Sequence, residues 1–191
     1  MTPPARSITW LVLAGALAVG CKPKAPDSPV ISAQPQPVGV TPDGGIASAP
    51  ADGPKALLEG FLKPGADHAA LTKPLRPTKA DYEAVFEPAF AAQLEAAKTP
   101  LWDSGGAVLA PKPGQTELLL NSATSDDFKK GTAAAAEFPG GYKQVADKFK
   151  PGVTLYRFKF VEPGKTIGMA YDGLVLVNGN WRLFPKPWQV K

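Results

Sequence analysis

The sequence predicts an α+β domain, with helices leading and an antiparallel β-meander closing the chain. Three observations carry that prediction. Apolar residues fall three and four apart from Leu57 to Leu62 and again from Tyr82 to Leu94, the spacing of helices lying on a core. From Val153 onward the alternation shortens to two, and valine, tyrosine and phenylalanine become frequent. Asn178-Gly179 then stands between two apolar runs, where a two-residue hairpin turn would use it. Helices first and a meander last indicate α+β architecture.

The chain opens differently. Met1 to Ser7 carries Arg6 and no acid, and an apolar run follows from Ile8 to Gly20. As a helix that run is about 20 Å long at ~1.5 Å per residue, while a bilayer span needs roughly 20 apolar residues. It suits the middle region of a signal peptide. The one cysteine of the protein comes next, in Leu17-Ala18-Val19-Gly20-Cys21. This pattern resembles the lipobox of bacterial lipoproteins, in which a small residue precedes the cysteine and aliphatic residues lie before it. Ala18 departs from it, since leucine is commoner at that position.

The resemblance covers residues 1–21 alone. It implies a signal peptide of residues 1–20, cleavage between Gly20 and Cys21, a diacylglyceryl group on the thiol, and a fatty acyl chain such as palmitate on the new amine. Each buried CH₂ contributes ~0.8 kcal/mol, so two or three chains on one residue hold a protein on a bilayer without a transmembrane helix. The expected location is the cell envelope. By the same resemblance, an aspartate at position 22 favours inner-membrane retention; Lys22 stands there, which favours the outer membrane. With Cys21 consumed, no internal disulfide and no cysteine-based metal site remain.

Residues 21–53 read as a tether. The chain has 22 prolines and 19 glycines among 191 residues, enough to require either an unstructured segment or many turns. Pro23, Pro26, Pro29, Pro35, Pro37, Pro42 and Pro50 fall here, with only scattered apolar residues between them. Neither periodicity survives those prolines. Such a segment buries too little apolar surface to offset its ordering entropy. Extended at ~3.1 Å per residue it would reach roughly 100 Å.

Residues 54–191 form the expected domain. A first helix spans 54–63, with Pro54 at its start and Pro64-Gly65 as its stop. A helical turn after Asp67 covers His68 to Leu71. Thr78, with Asp81 three residues later, caps a second helix. Tyr82, Val85, Phe86, Phe90 and Leu94 form its apolar stripe, Pro88 imposes a kink or a division into two helices, and Thr99-Pro100 ends it. Glu117 to Asn121 is a short strand. Ser125 to Lys130 and Gly141 to Lys150 are helices, separated by Pro139-Gly140-Gly141. Val153 to Val161 and Thr166 to Val177 are strands joined by the turn Glu162-Pro163-Gly164-Lys165. Asp172-Gly173 reads as a bulge within the second of them, because a turn there would leave two very short strands. Trp181 to Phe184 returns from the hairpin. This element order is similar to the small cone-shaped folds of the nuclear transport factor 2 type, which implies a curved sheet closing on helices.

No stretch assembles a recognisable catalytic, cofactor or metal site, and no cofactor is expected. Asp103-Ser104-Gly105-Gly106 matches the residues around the nucleophile of trypsin-like proteases, but the order and the two-barrel scaffold of that fold are missing. His68, the single histidine, reads as a turn residue. Asp126-Asp127 before Lys129-Lys130 reads as a helix with acids at its start and bases at its end. The glycine pairs at 105–106 and 140–141 lack the lysine and serine of a phosphate loop. The charge is mildly basic, +4 at pH 7, and dispersed, which argues against a nucleic-acid partner.

The closing segment, Trp181 and Phe184-Pro185-Lys186-Pro187-Trp188, allows two readings. In one, the aromatics close the core and the prolines fix the tail. In the other, Tyr156, Tyr171, Trp181 and Trp188 line a groove for a peptide or glycan. Two functions stay open accordingly: a non-catalytic accessory domain binding an envelope protein or glycan, and a small envelope enzyme or ligand carrier with a pocket in a curved sheet. A carboxylate-lined cavity at Asp172 or Glu117 beside Tyr171 would favour the second.

Overall fold

The computed structural model describes residues 53–190, together with the backbone of two short strands, β1 (Val38–Val40) and β2 (Ile46–Ser48). These two pair antiparallel, Val38 opposite Ser48, inside the stretch read as tether. The signal peptide, Gly20, Cys21 and the rest of that stretch lie outside the described residues.

Five helices form where the spacing placed them. α1 (Lys55–Glu59) tightens into a 3₁₀ turn at Gly60–Leu62. α2 (His68–Thr72) is capped by Asp67, whose carboxylate accepts from the Ala70 N–H at 2.9 Å. α3 (Lys79–Val85) starts in a full capping box: Thr78 accepts from the Asp81 N–H while Asp81 accepts from the Thr78 N–H. Pro88 divides the stripe instead of kinking it, because at the first turn of α4 (Pro88–Asp103) its missing N–H deprives no carbonyl. The division is pinned by Phe86 and Phe149, which form a β-bridge. α5 (Ser125–Lys130) repeats the capping box with Thr124 and Asp127 and ends at Gly131 in the left-handed conformation.

Three boundaries differ from expectation. α4 runs through Thr99-Pro100 to Asp103, because Leu101 and Trp102 beyond the proline are half-buried and their packing outweighs one lost hydrogen bond. Gly141–Gln144 (α7) stops at Val145 and resumes as a 3₁₀ turn at Ala146–Lys148. A further short helix, α6 (Ala133–Ala136), is capped by Thr132.

The sheet is a four-stranded meander in the order β3-β4-β5-β6. Its strands are β3 (Glu117–Thr124), β4 (Thr154–Val161), β5 (Gly168–Val177) and β6 (Asn180–Leu183). β3 continues past Asn121 to Thr124, paired with β4 over its whole length. Asn178 and Gly179 both have positive φ, 51° and 73°, the geometry of a type I′ turn.

β5 is one strand with a bulge. Tyr156 faces Leu174 while Arg157 faces Asp172, so Gly173 is the extra residue. Its consequence is a change of face: Tyr171 and Leu174, three apart, both point to the same side.

Apolar side chains cover both faces. On one, Leu155, Val175, Val177 and Phe184 pack with Tyr82, Val85, Phe90 and Leu94 of the α3–α4 pair and with Phe128 and Tyr142. On the other, Tyr156, Phe158, Phe160, Leu174 and Leu183 pack with Leu58, Phe61, Leu75 and Leu109. The architecture is α+β, a sheet between two helical layers.

Candidate functional site

A cleft of about 240 Å³ opens between the start of α3 and the second half of α4, lined by Arg76, Pro77, Thr78, Lys79, Tyr82, Glu95, Thr99 and Trp102. The first residues come from the capped turn, the last three from successive turns of one helix face. Arg76 Nη2 lies 2.8 Å from Asp103 Oδ1. Lys79 pairs with Glu83 one turn on, and that hydrogen bond, with the Glu83 charge, pushes its ammonium up. Glu95 makes no ion pair among the described residues.

Tyr82 forms the floor. Only 3% of it is exposed, and burial first, then the Glu95 charge, push its phenol up to about 12. The Trp102 N–H and the Arg76 charge act in the opposite direction. Yet the indole closes no hydrogen bond: Trp102 Nε1 is buried without a partner. A buried N–H left unpaired costs about 1–3 kcal/mol. The cleft thus holds one orphaned donor and one lone carboxylate.

The four residues of the expected groove do not converge. Tyr156 and Trp181 do meet, ring centroids 5.5 Å apart at 79°. The Tyr156 hydroxyl is buried without a partner, and burial pushes it up to about 12. Tyr171 stacks on Phe158, and its hydroxyl is saturated by Ala110, donating to the carbonyl at 2.9 Å and accepting from the N–H at 3.0 Å. These three pack on the Leu58–Phe61 side.

Trp188 packs on the other side, edge-on to Tyr142 at 4.8 Å. A Cβ on Gly141 would sit 2.3 Å from its ring, so the glycine makes room for the indole. Lys98 Nζ donates to Gln189 Oε1 at 3.2 Å and fixes the same turn. The tail closes the core. Sequence placed four aromatics near one another in chain order, but strand alternation and the tail's path divide them between two faces.

The carboxylates expected to mark a cavity are also accounted for. Glu117 is exposed and accepts from the Gly164 N–H at 3.1 Å. Asp172 points away from its neighbour Tyr171 and accepts from the Tyr142 hydroxyl at 2.8 Å. Burial pushes its carboxyl up, against the downward pull of Tyr142, Arg157 and Lys186. The protease-like residues are used locally. His68 Nε2 lies 2.9 Å from the Phe61 carbonyl, and Ser104 Oγ donates to the Leu101 carbonyl at 3.1 Å.

Nothing in the sequence singled out Arg76, Glu95 or Trp102, since the contact between α3 and α4 alone brings them together. Among the described residues no group of three or more His, Cys, Asp or Glu is placed to hold a metal ion. Comparison of the chain with protein-family models, curated proteins and solved structures gives no match. The functional argument rests on the residues themselves.

Proposed function

We propose that the chain is a lipid-anchored lipoprotein of the cell envelope whose folded part is a binding or accessory domain. One observation carries the reading: the single cysteine, Cys21, directly follows a small residue at the end of an apolar run too short to span a bilayer. Lipidation needs a cysteine at that position, and the protein has no cysteine elsewhere. Lys22 favours the outer membrane as the destination. The partner would be an envelope protein or glycan.

Binding is favoured over acid–base catalysis by how the carboxyls of shifted pKa are used. Asp81 and Asp127 serve capping boxes, and Asp172 is engaged by Tyr142. None of the three lines the α3–α4 cleft.

The test is metabolic labelling with an alkyne fatty acid, followed by fractionation without detergent. The native chain should carry label and sediment with membranes, while Cys21→Ala should lose both and appear in the supernatant. A Cys21→Ala protein that sediments as before, or native protein found full-length in the cytosol, overturns the reading.

A further inference from the structure

The geometry points to the α3–α4 cleft as a binding site for a small zwitterion, a free α-amino acid. The assignment rests on reading the domain as a binding module and does not depend on the lipid.

The argument begins with charge. The Tyr82 phenol is flanked by opposite charges, Glu95 from α4 and Arg76 from the turn before α3. Arg76 keeps free donors beyond the one nitrogen that meets Asp103. Lys79 is matched by Glu83 at the rim. Glu95 is left as the one ionic group of the lining without a counter-charge among the described residues. A carboxylate in that position attracts an ammonium.

The second element is the orphaned donor. Trp102 Nε1 is buried in the cleft wall and needs an acceptor. A carboxylate seated beside it would accept from the indole and from Arg76 together, a charge-assisted pairing. An α-amino acid carries ammonium and carboxylate on one carbon, so it can meet Glu95 with one end and Trp102 with Arg76 at the other. A simple anion would leave Glu95 unmatched and repelled. A phosphate gains nothing from the helix start, because the Thr78 and Asp81 N–H groups are spent on the capping box. The volume, about 240 Å³, is that of several water molecules at ~30 Å³ each, which suits one amino acid and excludes a long peptide.

The test follows the indole N–H resonances of the ¹⁵N-labelled full chain, with Trp102 assigned by the signal missing from Trp102→Phe. Alanine, leucine and glutamine are titrated, with acetate and methylammonium as probes carrying one charge each. A saturable shift of the Trp102 signal is expected with at least one amino acid and with neither half-probe. Glu95→Gln should weaken that binding at least roughly tenfold. Its dispersed spectrum would show that the fold is kept. No shift with any of the three amino acids, an equal shift with acetate alone, or unchanged affinity in Glu95→Gln overturns the proposal. Each of those outcomes leaves the fractionation result for Cys21 untouched.

Discussion

Gly173 shows how much one residue decides. With φ at +86° it occupies a region that side-chain-bearing residues rarely adopt, and an added Cβ would lie 2.3 Å from the Phe184 carbonyl oxygen. That carbonyl cannot withdraw freely, because the Phe184 N–H donates to the Gly173 oxygen at 2.9 Å across the same pair of strands. Strain and overlap act together, so Gly173→Ala should destabilise the domain by about 3 kcal/mol or more. Urea unfolding measures this directly, and a loss below about 1 kcal/mol would show that the strand absorbs the methyl group. The bulge also decides which side chains are free for chemistry. It turns Tyr171 toward Phe158 and Asp172 toward Tyr142, and so separates an acid and a phenol that adjoin in the chain.

Among the elements, α4 carries the clearest local conflict. Pro100 lies inside the helix, leaves the Ala96 carbonyl without its usual donor and is itself exposed. Pro100→Ala restores that hydrogen bond and disturbs no packing. The greater freedom of the unfolded chain offsets part of the gain, so a net stabilisation of about 1 kcal/mol and a rise of several degrees in Tm are expected by calorimetry. A fall in Tm would mean that the proline shapes the last turn and hence the Trp102 side of the cleft.

This conflict also marks the limit of what the sequence disclosed. Thr78 with Asp81, Asn178-Gly179 and the bulge at Gly173 were legible, because each depends on residues within a few positions of one another. The continuation of α4 beyond Pro100 was not, because burial of Trp102 against distant residues sustains it. The polar end of β3, Asn121 to Thr124, reads as strand only once its partners Arg157 to Thr154 are in place. The cleft was illegible for the same reason: Arg76, Glu95 and Trp102 share no period and meet only through packing.

At the scale of the whole molecule, Asp81 joins the two ends of the domain. Its Oδ2 accepts from Arg182 Nε at 2.8 Å and its Oδ1 from Asn178 Nδ2 at 2.9 Å, so the start of α3 is fastened to the β5–β6 hairpin about a hundred residues later. Arg182 also donates to the Pro74 carbonyl. Burial alone would push the Asp81 carboxyl up, but Thr78, Asn178 and Arg182 outweigh it and hold the group below its ordinary value. The sign of the pH effect follows. A carboxyl depressed in the folded state adds stability that is complete above its unfolded pKa, about 3.9, and that fades as pH falls through the lower folded value. Asp172 works in the opposite sense: its carboxyl is raised, so its ionised form costs stability near neutral pH and protonation relieves that cost. Acidification therefore strengthens one buried carboxylate while dissolving the fastening at the other. Arg182→Ala removes the guanidinium and leaves Asp81 buried with fewer partners, which should cost about 3 kcal/mol at pH 7. The cost should shrink below about pH 4, where the carboxyl protonates in either protein. Urea unfolding of both proteins at several pH values checks this. A deficit independent of pH would show that Arg182 acts through packing and the Pro74 contact, and that the two ends of the domain are not held together by this charge.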